Sequence, residues 1–126
     1  MTRLVLDAGA FVAFEKGDAA LRARLAAARR LGLELATTSP VLGQVWRDGR
    51  RQVLLARLIS ATSVEAPTEQ DARRAGELLA KTRTQDVVDA LLVGRARDGD
   101  TVLTSDPRDI ERLLAAAGVR ATVVTV

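Results

Sequence analysis

The chain contains no cysteine, no histidine and no tyrosine, and its aromatic side chains are one tryptophan and two phenylalanines in 126 residues. Each absence closes a branch of chemistry. Without cysteine there are no disulfides, thiolate nucleophiles, zinc ribbons or iron–sulfur ligands, and a cytoplasmic setting is the expectation. Without histidine there is no imidazole acid–base pair, no Ser-His-Asp triad and no histidine metal ligand. Any hydrolytic chemistry must lean on carboxylates. With so few rings, the core has to be aliphatic, built from Leu, Val and Ala between helices and a sheet. Long apolar runs are missing too. No window approaches the roughly 20 residues that cross a bilayer, and no apolar stretch follows a basic N-terminus, so a soluble, unprocessed chain with no membrane partner is expected.

What is present suits one domain spanning residues 1–126, since 48% of the residues are hydrophobic, enough for a substantial core. The net charge of +3 conceals a segregation: residues 1–60 carry ten basic and five acidic side chains, residues 61–126 nine and eleven. A basic first half can face phosphates while an acidic second half supplies metal ligands, although surface asymmetry of this size is also common without a partner.

Turn signals divide the chain into alternating strands and helices. Arg3 to Leu6 reads as a first strand ending at the tight turn Asp7-Ala8-Gly9. A short helix begins around Phe11, and Ala19 to Leu31 places Leu21, Leu25 and Ala28 on one face before Gly32 stops it. Leu33 to Thr38 is a second strand. Ser39-Pro40 then starts a helix, with Ser as cap and Pro at the first helical position. Asp48-Gly49 interrupts, and Arg51 to Ser60 resumes helical spacing. Ala61 to Ala66 is a third strand, Thr68 caps a helix reaching about Lys81, and Asp86 to Arg97 is a helix apolar almost all round, as expected of one packed deep on a sheet. Thr101 to Thr104 is a fourth strand, Asp106-Pro107 opens a last helix, and Val119 to Val126 is a fifth strand. The alternation predicts an α/β fold with a mainly parallel, about five-stranded sheet and helices on both faces.

In such sheets ligands bind beyond the carboxyl ends of the strands, where strand order reverses. Asp7 and Asp106 stand directly after two strands, and Asp86 and Asp89 lie three apart at a helix start, so they share a face. Each aspartate taken singly is equally a helix cap, and Asp-Pro at 106–107 is a particularly good one. Capping does not predict convergence. Close carboxylates raise one another's pKa unless a cation neutralises them, and oxygen-only ligands suit magnesium or manganese.

Taken together, Asp7, the segment from Ser39 to Arg47, the run Asp86-Val87-Val88-Asp89-Ala90 and the run Thr104-Ser105-Asp106-Pro107-Arg108-Asp109 resemble PIN domains, in order and spacing over nearly the whole chain. The resemblance is nearest to small bacterial PIN proteins that serve as VapC-type ribonuclease toxins. It implies a three-layer α/β/α fold and a ribonuclease activity that depends on Mg2+ or Mn2+. It also implies an RNA substrate, a homodimer and a small cognate antitoxin. Residue by residue it makes Asp7, Asp89 and Asp106 catalytic metal ligands, with Asp86 and Asp109 as further acids and Thr104 and Ser105 as supporting hydroxyls.

The family's usual glutamate is replaced here by Gln44. An amide oxygen can still hold a metal or its water, but the site loses one negative charge. Asp86, or Asp48 one turn beyond Gln44, is in place to compensate, and a plain polar helix residue is an equal reading of Gln44. This leaves two readings in different classes: a ribonuclease, and a catalytically weakened PIN domain that binds RNA or an antitoxin without cutting. A phosphatase with Asp7 as nucleophile is disfavoured because Gly9 stands where a second aspartate is expected. Arg47, Arg50, Arg51 and Arg57 offer guanidinium forks to RNA phosphates, or simply a solvated helix face. Trp46 is read either as a base-stacking ring or, more in keeping with a lone tryptophan, as core or dimer interface.

Overall fold

In a computed structural model, residues 2–126 are described, and they form one five-stranded parallel sheet with seven helices among them. The strands are β1 (Arg3–Leu6), β2 (Glu34–Thr38), β3 (Ser63–Glu65), β4 (Thr101–Thr104) and β5 (Thr122–Thr125), in the order β3-β2-β1-β4-β5. Helices α1 (Ala8–Glu15) and α2 (Ala19–Arg30) lead from β1 to β2, and α3 (Ser39–Val45) and α4 (Val53–Ser60) from β2 to β3. Helices α5 (Glu69–Thr82) and α6 (Val87–Arg95) cross from β3 to β4, and α7 (Pro107–Ala117) joins β4 to β5. The helices segregate into two groups. Helices α2, α3 and α4 all pack on α1, whereas α5, α6 and α7 pack on one another, giving a three-layer α/β/α sandwich.

The aliphatic core is the one the composition demands. Leu6, Phe11, Leu55, Leu92, Leu103, Ile110 and Leu113 are fully buried, and α6 hides the consecutive residues Asp89 to Val93, as a helix apolar all round should. No helix among the described residues is long and apolar enough to cross a membrane.

Some boundaries move from their sequence positions for local reasons. Helix α1 begins at Ala8, not near Phe11, because Asp7 sits at the N-cap and its Oδ1 accepts from the Ala8 amide at 2.8 Å. Ser39 is inside α3, not its cap: Thr38 occupies the cap position with no side-chain bond, and Pro40 follows in the first turn. The third strand is three residues long, because Ala61 and Thr62 finish α4. The Ala61 amide donates to the Arg57 carbonyl, and Thr62 Oγ1 to the Leu58 carbonyl at 2.7 Å. Thr68 and Asp71 form a reciprocal capping box on α5.

Strand order fixes where a site can lie. The chain winds from β1 through β2 to β3 in one direction, then returns past β1 to lay down β4 and β5 in the other. The reversal therefore falls between β1 and β4, which pair in parallel register with Leu6 beside Leu103. The next residue of β1 is Asp7, whose amide donates to the Leu103 carbonyl at 3.0 Å.

Candidate metal centre

Five carboxylates gather where β1 and β4 end. Asp7 caps α1, Asp86 caps α6 by accepting from the Asp89 amide at 3.0 Å, and Asp89 projects from the first turn of α6. Asp106 occupies the cap position of α7, and Asp109 lies one turn further on. Asp7 and Asp89 are buried, each with 5% of its surface exposed. Asp106 is exposed, and its side chain makes no capping bond, contrary to the expectation drawn from Asp-Pro. The Asp106 amide donates to Thr104 Oγ1 at 3.0 Å, and Pro107 follows at the first helical position without a donor to satisfy. The carboxylate instead lies beside that of Asp109, one turn into the same helix.

One ligand oxygen each from Asp89, Asp106 and Asp109 lies within 4.8 Å of the other two, the arrangement an oxygen-ligated cation requires. Asp109 is therefore more central than its role as a nearby further acid implied. The signal for it was present, because Asp106 and Asp109 have the same i, i+3 spacing as Asp86 and Asp89. Asp7 and Asp86 flank this trio and act on it through their charge. Thr104, fully buried, ties the two strand ends together: its hydroxyl donates to Asp7 Oδ2 at 2.7 Å while accepting from the Asp106 amide. Ser105 packs tightly against α1. A Cβ on Gly9 would fall 2.7 Å from Ser105 Cβ, so only glycine admits this approach.

The electrostatics follow from burial without counter-charge. Asp89 is pushed up to about 7, first by burial and then by the charges of Asp7, Asp86, Asp106 and Asp109. Burial also raises Asp7, against the opposing hydrogen bonds from Thr104 and Ala8. Asp106 is raised by desolvation, then by the proximity of Asp109. Among the described residues, no salt bridge joins any of these five aspartates to an arginine or lysine. A cluster that excludes protein cations and penalises its own ionisation fits a hard divalent ion, and an all-carboxylate donor set is the chemistry magnesium and manganese take.

The remaining sequence candidates lie apart from the trio. Gln44 is exposed and lines an open cavity of about 760 Å³ with Ala8, Gly9 and Ser105, beside the centre. Asp48 is committed to the α3–α4 turn, where it pairs with Arg50 at 3.5 Å and Arg51 at 4.0 Å, so it does not compensate for Gln44. Arg47 donates to the carbonyls of Gly43 and Trp46, and Gln52 closes the same turn by accepting from the Arg47 and Asp48 amides. Trp46 is 41% exposed and so is not part of the core. With Leu42 and Ile59 it borders an apolar surface cavity of about 460 Å³.

No protein-family model and no curated protein matches the chain. Solved structures do. The structure of VapBC2 from Rickettsia felis bound to a DNA fragment from their promoter aligns with a TM-score of 0.71 and 14% identity, over 98% of this chain and 99% of that one. The structure of DNA-bound VapBC from Salmonella typhimurium aligns with a TM-score of 0.72 and 21% identity, over 98% of both chains. At these identities the likeness is one of fold, and the fold is the VapC-like PIN architecture that the sequence resembles.

Proposed function

We propose that this PIN-fold chain is a metal-dependent endoribonuclease, the toxin of a toxin–antitoxin pair, with Asp7, Asp89 and Asp106 as its catalytic carboxylates and Mg2+ or Mn2+ as its cofactor. The observation that carries this reading is the convergence of uncompensated carboxylates at the strand-order reversal, with Asp89 held near 7. A divalent ion bound there supplies charge stabilisation for a phosphodiester and lowers the pKa of attacking water. The chain's own part is placement. Asp89, Asp106 and Asp109 present oxygens to the ion, and Asp86 adds negative charge beside them. Asp7 is held in one orientation by Thr104 and Ala8, so its second lone pairs remain directed at fixed points.

The two solved structures described above are VapBC complexes bound to DNA, which supports a protein partner for this chain and a DNA-bound assembly in which the pair participates. A homodimer and a cytoplasmic location belong to the same reading. Arg47, Arg50 and Arg51 are exposed on the α3–α4 turn, and beyond the turn contacts of Arg47 and the Asp48 pairs of Arg50 and Arg51 their remaining N–H groups can meet an RNA backbone.

Gln44 favours a second reading, an RNA- or antitoxin-binding domain without turnover, because the amide lowers the negative charge available to the ion. Purified protein incubated with a mixed RNA pool and manganese separates the two. The nuclease reading expects discrete fragments that vanish with a chelator and in Asp7→Asn. Fragments that persist in Asp7→Asn would remove the assigned site. RNA retained on a filter without fragments, together with cleavage in Gln44→Glu, would establish the second reading.

A further inference from the structure

The cavity beside the centre has a chemistry distinct from the carboxylates it adjoins. It runs along α1 from Ala8, the neighbour of Asp7, to Lys16 at the helix C-cap, a span of roughly 12 Å at the α-helical rise. Ala8, Val12 and Ala13 give one wall of small apolar groups. Gln44 from α3 and Ser105, the residue before Asp106 in the β4–α7 turn, add uncharged hydrogen-bonding groups, and Lys16 places a cation at the C-terminal end of α1. Asp18 lines the same end and caps α2, with Oδ1 accepting from the Leu21 amide at 2.9 Å, so its charge is partly offset by that helix N-terminus.

From the acidic centre outward, the lining therefore runs from a cation-demanding cluster through neutral apolar and amide groups to Lys16, whose charge stands near the capping carboxylate of Asp18. An RNA strand has the complementary order: a phosphate engaged through a metal ion, a flat neutral base, then another phosphate. The volume of about 760 Å³ lies in the range of sites that enclose small organic groups. Gln44 is exposed, so its carbonyl and both amide hydrogens can be presented to a base edge. A glutamate there would offer only acceptors.

We infer that this pocket is the nucleoside subsite next to the phosphate that is cut, with Gln44 reading the base edge and Lys16 holding a neighbouring phosphate. This inference rests on the nuclease reading and gives the glutamine a recognition role, where the family pattern has an acid. Both side chains are exposed, so substituting either leaves the core intact.

The test is filter binding of short single-stranded homopolymer RNAs in chelator, where nothing is cut, by wild type, Lys16→Ala and Gln44→Leu, followed by cleavage-site mapping in manganese. Wild type should rank the homopolymers over roughly a ten-fold range in Kd, within the discrimination that base-edge contacts provide. Lys16→Ala should weaken binding of every RNA alike and reduce the slope of log K against log salt by about 0.7, one single-strand phosphate contact. Gln44→Leu should flatten the ranking and broaden the base preference at the cut, with a smaller change in the salt slope. Unchanged Kd, slope and ranking in both variants would overturn the subsite even if wild type cuts RNA. Altered binding in the variants with no cleavage by wild type would retain the pocket as an RNA site and overturn the nuclease reading instead. Wild type that neither binds RNA in chelator nor cuts it in manganese overturns both.

Discussion

Two clusters of charge are built into the same sheet, and they follow opposite rules. Where β1 and β4 begin, Arg3 lies buried against Asp100, donating to both carboxylate oxygens at 3.2 and 2.8 Å. Arg3 also meets Glu65 at 3.1 Å, and Arg95 carries the network on to Glu65 and to Asp71. Each carboxylate there faces a guanidinium. Asp71 is accordingly lowered, first by the Thr68 amide and further by Arg95, while Arg3 is raised by Asp100. Where β1 and β4 end, five aspartates face one another, and three of them are raised. Balanced burial marks a structural network, and unbalanced burial marks a place kept ready for something the chain does not itself supply.

The largest effect expected from breaking this contrast is at the balanced end. Asp100→Ala removes the bidentate partner of buried Arg3 and leaves it only Glu65, at a cost of roughly 3 kcal/mol, read as a fall in Tm of roughly 10 °C. At the unbalanced end the sign reverses. The folded chain holds a proton on Asp89 between about 4 and about 7 that the unfolded chain, with an ordinary value of 3.8, has already released. Metal-free protein should therefore lose stability as pH rises through that window, and Asp7 and Asp106, also raised, add in the same direction. Asp89→Asn should flatten the profile and raise Tm at pH 8 by roughly 5 °C, while abolishing cleavage. Thermal melts from pH 4 to 8 in chelator check both statements.

Thr104 separates the two kinds of cluster most finely, because it stabilises an uncompensated carboxylate without charge. Thr104→Val removes the donor to Asp7 and the acceptor for the Asp106 amide, and should cost roughly 1–3 kcal/mol in denaturant unfolding. The loss should be smallest at low pH, where a protonated Asp7 needs the donor least. The zero of the scale is the exposed Arg73–Glu69 pair on α5, at 3.0 Å. Arg73→Ala should leave Tm within the scatter of replicate melts, since solvent-exposed pairs contribute little.

The sequence made one of these clusters legible and left the other hidden, for physical reasons. Asp7 and Asp106 each follow an apolar strand, and strand-end position together with parallel order is a local signal that topology turns into proximity. Asp86 and Asp89 are joined by helical spacing in the same way. The Arg3–Asp100 pair spans 97 residues, and neither residue has an unusual neighbour, so only the folded sheet brings them together. Asp-Pro announces a helix start correctly and Asp106 takes the cap position, but its carboxylate makes no capping bond and lies beside Asp109, a proximity visible only once the helix is formed. Asp48 misled in the opposite way. Its spacing from Gln44 is helical, yet α3 ends at Val45, and the turn beyond gives Asp48 to its own arginines. Lys16 carried no sequence signal, because a lysine at the end of a short helix is ordinary until the cavity beside it is seen.

The most direct measurement is a calorimetric titration of Mn2+ into metal-free protein at pH 6 and pH 8, for wild type and Asp89→Asn. The account predicts tighter binding at pH 8, with protons released on binding at pH 6, because the ion must displace the proton that Asp89 retains. It also predicts loss of binding in Asp89→Asn. Absence of Mn2+ binding at pH 8, or binding that Asp89→Asn leaves unchanged, would contradict the carboxylate cluster as a metal centre.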